Sequence, residues 1–434
     1  MQISEKVQVE DGEASRPEDI ERRRDRLASR YREVRGLSEE LAAPLLPEDQ
    51  VVQSMPDVSP TKWHLAHTTW FFETFVLREF VRDYEPHNPD YAYLFNSYYV
   101  QAGDRFSRPR RGLLSRPSVA ATMEYRARVD ERIHVMLGGP ATADADRMLD
   151  VVELGLNHEQ QHQELILTDI KHVLSCNPLG PAYVRRRHQP DRSREMGWLT
   201  VPEGVHHIGH RGAGFSFDNE GPPHRVFLEP AEIADRLVTN REFLAFMEDG
   251  GYRRSELWLS DGWAVAEGEG WKGPGYWRRD GDRWKQFTLS GYELVEPDEP
   301  VCHVSYYEAD AFARWHGDRL PTEFEWETVA AEASPKDNFV ETRRFHPSAA
   351  SERRQFYGDT WEWTQSAYAP YPGYRPAAGA LGEYNSKFMC NQFVLRGGSC
   401  ATSLSHIRRT YRNFFPPAAR WQFTGIRLAR DTYR

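Results

Sequence analysis

The sequence predicts a multidomain protein of α and α+β type, with an N-terminal four-helix bundle followed by an α+β half containing much irregular structure. Three observations carry this expectation. The chain has 434 residues, about three times the ~150 of a typical domain, so one compact core is not expected. Apolar residues recur at helical spacing up to about residue 176, and beyond it only in two modest stretches. Ten of the 13 tryptophans, Trp258 onward, follow residue 200, among closely spaced Gly, Pro, Asp and Asn.

The elements follow in order. Ser15-Arg16-Pro17-Glu18 has the form of a capping box with Pro17 in the first turn, and predicts a helix to about Val34. Ser59-Pro60 opens a second helix through Trp63, His67, Trp70, Phe71 and Phe75. A third is expected from about Pro117 to Met136. A fourth is expected from about Asp144 to Leu174, before Pro178 and Gly180. A lengthy connection separates the second helix from the third. Bundles of this kind build metal sites from side chains that project inward from facing helices. The bundle is assigned to residues 1–176, an Arg- and Pro-rich linker to 177–197, and the second domain to 198–434. In that domain short apolar runs such as Val226-Phe227-Leu228 and Phe393-Val394-Leu395 alternate with turn residues. Helices are expected there near 239–248 and 306–316.

Composition narrows the function classes. Hydrophobic residues make up 39% and charged residues 28%, a globular profile. With 55 Lys+Arg against 65 Asp+Glu, the net charge is −10, which argues against a nucleic-acid partner. No run approaches the ~18 apolar residues of a membrane span. The first 36 residues are dense in Glu, Asp and Arg, without a signal-peptide core. The cysteines, Cys176, Cys302, Cys390 and Cys400, form no CxxC pair. The expectation is a cytoplasmic protein with reduced thiols and no membrane partner.

The most informative segment is Asn157-His158-Glu159-Gln160-Gln161-His162-Gln163-Glu164. His158 and His162 at i and i+4 share one helix face, so both imidazoles can reach one metal ion. They continue the stripe of Val151, Leu154, Leu165 and Ile166 toward the bundle interior. A third ligand is expected from the second helix, where His64 and His67 lie three residues apart. We assign His67, with His64 as the alternative. The same letters satisfy H-E-x-x-H of zinc peptidases, in which the Glu is the general base. The extended form fails, because Leu165 and Thr168 occupy its Gly and last His positions. Three neutral imidazoles suit Zn, Fe, Cu or Ni, and their spacing does not choose among these.

Three further constellations stand out. Asn96-Ser97-Tyr98-Tyr99 precedes Arg108-Pro109-Arg110-Arg111 in the long connection. Adjacent phenols near a metal could donate a proton, and paired Arg suit a carboxylate. Trp361-Glu362-Trp363, Tyr368, Tyr371 and Asn413-Phe414-Phe415 cluster aromatics near the C-terminus, where packing is the default reading and a cage for quaternary ammonium the sharper one. His206-His207-Ile208-Gly209-His210 looks metal-like but lies in a Gly-rich loop.

His64-Leu65-Ala66-His67-Thr68-Thr69-Trp70-Phe71-Phe72-Glu73, followed by the His158–His162 segment, resembles the DinB-like domain of the ergothioneine-pathway sulfoxide synthases. The second half resembles the formylglycine-generating-enzyme/sulfatase-modifying fold, a relative of C-type lectins. Its landmarks are Val201-Pro202-Glu203-Gly204, Phe217-Asp218-Asn219-Glu220, Arg319-Leu320-Pro321-Thr322-Glu323, Trp361-Glu362-Trp363, Leu395-Arg396-Gly397-Gly398-Ser399 and Gly425-Ile426-Arg427-Leu428-Ala429. The resemblance implies an O2-dependent non-haem Fe(2+) enzyme that joins a cysteine derivative to C2 of the imidazole of hercynine, N-alpha-trimethylhistidine, as a sulfoxide. It implies His67, His158 and His162 as iron ligands, and Gln161 as hydrogen-bonded to the substrate imidazole. Asn413, Phe414, Phe415 and Tyr371 would receive the two ends of hercynine, and Arg108 and Arg111 the carboxylate of the sulfur donor. Tyr98 or Tyr99 is expected to supply a proton, with Tyr368 as competitor. Family members that use gamma-glutamylcysteine carry an acidic residue shortly after the Asn. Here Phe414-Phe415-Pro416-Pro417 follow, so free cysteine is the expected donor. Copper-dependent formylglycine generation is not expected, since the paired cysteines are missing. The competing classes are a zinc-dependent thiol transferase or hydrolase on a three-His DinB-like site, and a lectin-like binder with structural histidines.

Overall fold

The computed structural model describes residues 17–140, 143–185, 191–336, 338–376 and 382–432. Four long helices form the N-terminal half: α1 (Pro17–Ala42), α2 (Thr61–Phe72), α3 (Val119–Gly138) and α4 (Ala145–Ser175). The proposed cap at Ser15 lies outside the described residues. Helix α1 runs past the expected end near Val34, because Leu41 and Ala42 continue its buried stripe against Leu65, Ile166, Leu167 and Ile170. Every residue of α2 is buried, and a π-helical turn, Glu73–Leu77, carries it onward to Phe80. Ser118 caps α3 by accepting the N–H of Ala121. The connection from α2 to α3 contains a short helix, Tyr91–Phe95, and 3-10 turns at Val100–Ala102 and Arg108–Leu113.

The second half is built on small sheets. They have the orders β1-β4-β12, β10-β9-β8-β11, β2-β3 and β5-β6-β7, from β1 (Trp198–Val201), β2 (Gly204–Ile208), β3 (His224–Leu228), β4 (Ala231–Ala234), β5 (Trp277–Asp280), β6 (Arg283–Thr288), β7 (Gly291–Leu294), β8 (Trp361–Ala367), β9 (Phe393–Arg396), β10 (Asn413–Phe415), β11 (Thr424–Gly425) and β12 (Ala429–Asp431). Only β8 and β11 pair in parallel among these strands. The expected helices are α5 (Asn240–Glu248) and α7 (Tyr306–His316). Two more, α6 (Ser260–Gly268) and α8 (Glu323–Val329), were not anticipated. The start of α8 is a capping box, Thr322 with Glu325, inside a stretch that reads as loop from its Pro and Thr. No helix among the described residues is long and apolar enough to cross a membrane.

One apolar cluster draws on both halves, joining Leu41, Ile166 and Ile170 to Phe287, Val340 and Phe423. Glu164 of α4 is the polar tie. Its carboxylate accepts from Trp361 Nε1 at 2.7 Å, Ser399 Oγ at 2.6 Å and Thr402 Oγ1 at 2.8 Å. Tyr183, between the halves, donates to Leu41 O at 2.6 Å.

Glu323 holds a buried charge cluster in the second half. Glu323 Oε2 accepts from Arg396 Nη2 at 2.7 Å and Arg412 Nε at 2.9 Å, and Oε1 accepts from Arg412 Nη2 at 3.0 Å. Burial opposes the charge on Glu323, but Arg412 and Arg396 outweigh it and hold the carboxyl below its ordinary pKa. Glu323→Ala removes the one carboxylate partner of Arg412 among the described residues. It is expected to cost about 3–5 kcal/mol, read as a lower urea midpoint; a loss below about 1 kcal/mol would contradict the pairing.

Candidate functional site

Helices α2 and α4 lie side by side and bring three histidines together. His67, His158 and His162 are all buried, and one nitrogen from each lies within 4.8 Å of the others. His67 Nε2 and His158 Nε2 are 3.2 Å apart. The face of Trp63 stacks on His67 at 4.6 Å with an interplanar angle of 11°. His67 Nδ1 donates to Phe95 O at 2.5 Å, which leaves its Nε2 with a lone pair. Burial pushes His158 down to about 4. Burial and the neighbouring imidazoles hold His67 and His162 well below the usual histidine range. The three rings are therefore neutral at physiological pH, the state in which imidazole binds a metal. His158 Nδ1 has no hydrogen-bond partner among the described residues. Three neutral, converging imidazoles fit a transition metal, and no carboxylate or thiol joins the cluster among the described residues.

The alternative ligand, His64, faces His162 and Asp169 instead. Glu159 also leaves the site. One position round the helix from His158, it accepts from Arg35 Nη1 at 2.8 Å, Arg126 Nη2 at 2.6 Å and Ser38 Oγ at 2.6 Å inside the bundle. Burial raises its pKa, but Arg126, Arg35 and these hydrogen bonds prevail and hold it down at about 2. A carboxylate locked in this way is no general base for water at the histidines. The peptidase-like motif is a coincidence of letters.

The histidines open into a cavity of about 210 Å³ between the halves. Tyr98, Tyr99, Arg108 and Arg111 line one wall, and Gln161, Asn413, Phe414 and Phe415 also line the cavity. Arg108 Nη1 donates to Tyr98 OH at 2.5 Å. Arg111 donates to Ser59 Oγ at 2.9 Å and Ser97 Oγ at 3.1 Å, with its guanidinium 3.3 Å from the Trp63 ring centre. Burial lowers Arg111 to about 9, so it stays charged at neutral pH. Among the described residues neither Arg108 nor Arg111 has a carboxylate partner. Gln161 Nε2 donates to Tyr411 OH at 2.8 Å, and both side chains line the cavity. A wider opening shares Tyr99, His158, Gln161, Phe217 and Asn385 with this cavity.

Tyr371 is a correction. It is absent from the cavity lining, and its hydroxyl bridges Glu323 at 3.1 Å and Arg396 at 3.0 Å. The competitor Tyr368 stacks behind Phe414 at 4.1 Å and accepts from Asn219 Nδ2 at 2.9 Å. His206 and His207 sit on strand β2, bonded to Pro202 O and Arg211, away from the cavity. Sequence reasoning missed Tyr411 and Trp421. Tyr411 lies two residues before Asn413, and that nearness was the available signal. Trp421 lines the cavity with an indole N–H that has no partner among the described residues. Its position beyond Pro416-Pro417 left no pattern to read.

Comparison with known proteins bears on both halves. Residues 30–166 match the DinB superfamily, and residues 185–356 and 342–432 match the sulfatase-modifying factor enzyme 1-like domain. The chain is 33% identical over 414 residues to hercynine oxygenase of Mycolicibacterium thermoresistibile, covering 87% of this chain and 89% of that protein. It is 32% identical over 404 residues to hercynine oxygenase of Mycobacterium tuberculosis, covering 87% and 92%. It is also 33% identical over 146 residues to formylglycine-generating enzyme of Thermomonospora curvata, a match to 31% of this chain and 48% of that protein.

A bound metal would be linked to stability. Anaerobic Fe(2+) at 100 times its Kd is expected to stabilise the fold by about 2.7 kcal/mol, read as a rise in Tm that a chelator reverses. His158→Ala and His162→Ala are each expected to abolish the rise. An undiminished rise in either variant would contradict the site.

Proposed function

The chain belongs to the hercynine oxygenase family, and from that premise we propose that it makes the C–S bond of ergothioneine biosynthesis, joining free cysteine to C2 of the hercynine imidazole. The reaction consumes the thiol S–H, the imidazole C2–H and O2, and yields the sulfoxide and water. One observation carries the reading: three neutral imidazoles open onto a cavity with two guanidiniums on one wall and aromatic rings lining it with Gln161 and Asn413. His67, His158 and His162 would hold Fe(2+), which supplies the one-electron redox chemistry that O2 requires.

The chain's own residues bind, orient and protonate. Arg108 and Arg111 take the cysteine carboxylate, for which no protein carboxylate competes among the described residues. Gln161, held by Tyr411, presents its amide to the hercynine imidazole and sets which ring carbon faces the sulfur. Asn413 takes the hercynine carboxylate, and Phe414 and Phe415 receive the trimethylammonium group. The Tyr98–Tyr99 pair donates the proton, with Arg108 fixing the Tyr98 hydroxyl. The four free cysteines support a cytoplasmic setting.

The donor follows from charge. Three acids among the described residues line the cavity: Glu164 and Asp169 are already bonded, to Trp361, Ser399 and Thr402 and to His64 and Ser59 respectively, and Asp57 is exposed to solvent, with its backbone carbonyl on Arg108. A distal gamma-glutamyl ammonium would meet Phe414 and Phe415 in place of an acid, and a desolvated ammonium without a partner is costly.

O2 uptake by the anaerobically iron-loaded protein is expected only with hercynine and thiol together. In competition, kcat/KM for cysteine should exceed that for gamma-glutamylcysteine, and Phe415→Asp should narrow the gap; a preference for gamma-glutamylcysteine in the wild type overturns the donor assignment. Tyr98→Phe or Tyr99→Phe is expected to lower sulfoxide formation by about 100-fold in favour of thiol dioxygenation. Equal loss in Tyr368→Phe alone would move the proton donor to the second half.

A further inference from the structure

His64 has no place among the three converging histidines, yet it is only 2% exposed and both its nitrogens are engaged. Its Nδ1 lies 2.8 Å from His162 Nδ1, and its Nε2 lies 3.0 Å from Asp169 Oδ2. Asp169 is buried, and the same oxygen accepts the backbone N–H of Ser59 at 2.8 Å. Thr168 Oγ1 donates to its other oxygen at 3.3 Å.

The direction of each hydrogen bond follows from what the groups can do. A carboxylate accepts, so the hydrogen between Asp169 and His64 sits on His64 Nε2. A neutral ring with hydrogen on Nε2 has a lone pair on Nδ1. For His162 to lend Nε2 to a metal, the short Nδ1–Nδ1 contact takes its hydrogen from His162 Nδ1, and His64 Nδ1 accepts it. With hydrogen on Nδ1, His162 has a lone pair on Nε2, the nitrogen left to face His67 and His158. We propose that Asp169 and His64 are positioning residues of the metal centre, acting in series through His162 to keep its Nε2 the donor atom. This rests on the reading that the three histidines hold a metal.

The three rings are thus oriented by different means. A backbone carbonyl, Phe95 O, fixes His67. The Asp169–His64 relay fixes His162. His158 Nδ1 has no partner among the described residues. The relay also reaches the donor wall. Asp169 holds the backbone of Ser59, whose Oγ accepts from Arg111.

Two measurements test the relay, and the first needs no metal. Long-range 1H–15N NMR of metal-free protein labelled at histidine is expected to show His162 with hydrogen on Nδ1. Hydrogen on Nε2 in the wild type overturns the proposal, whatever the variants do. The second is Co(2+) affinity by competition with a chelator. His64→Phe removes the acceptor and is expected to weaken binding 10–100-fold, the usual effect of losing a ligand's outer partner. His64→Gln, whose Oε1 can accept from Nδ1–H, is expected to restore most of the affinity. Wild-type affinity in His64→Phe, or an equal loss in both variants, overturns the relay. Failure of the wild-type protein to bind Co(2+) would instead overturn the three-histidine reading, which the metal-free spectrum addresses separately.

Discussion

The structure depends on one helix that must satisfy three surroundings at once. Between residues 158 and 169, α4 turns His158, His162 and Asp169 toward the cavity. It turns Glu159 and Gln163 toward α1, where Arg35 and the Val34 carbonyl receive them. It turns Gln160 and Glu164 toward the second half, to Ser403 and Ser405 and to Ser399 and Thr402. The 3.6-residue period spreads these polar groups around the helix, with Gln160 shared with Arg30 of α1 and Glu164 at the edge of the cavity. Nearly all are buried, so each needs its own partner, and a rotation of the helix would strand several of them. The clustered histidines inherit their orientation from that constraint.

The second half closes the site. β10 pairs with β9 in a register that opposes Asn413 to Leu395 and Phe415 to Phe393. Packing of Tyr368 behind Phe414 and of Trp421 edge-on to Phe415 stiffens this lining. The buried Glu323–Arg396–Arg412 group lies beneath β9 and the approach to β10. Arg412 itself lines the cavity, with its charge neutralised from the protein side. A shared fold with formylglycine-generating enzymes thus serves as a wall for the three-histidine cluster supplied by the other half.

Much of this was legible in the sequence wherever the signal was local. Two histidines four apart on an apolar stripe, and a third on a preceding helix, follow from helical geometry. The Tyr98–Tyr99 and Arg108–Arg111 segments were visible as unusual clusters in a long connection. What sequence spacing could not supply was the direction of side chains on irregular backbone. Tyr371 and Tyr411 are both aromatic hydroxyls near the C-terminus, and only the packing of β8, β9 and α8 decides that the first meets Glu323 and the second meets Gln161. The roles of His64 and Glu159 were equally hidden, because each depends on partners about 100 residues away or more.

The proposed chemistry requires three imidazoles to meet one ferrous ion while leaving room for substrate. X-ray absorption at the iron edge tests it directly, on protein loaded anaerobically and examined before and after addition of cysteine and hercynine. Three histidine scatterers are expected in both states, with a sulfur scatterer that appears with cysteine. A fourth protein ligand, or an iron environment indifferent to the thiol, would contradict it.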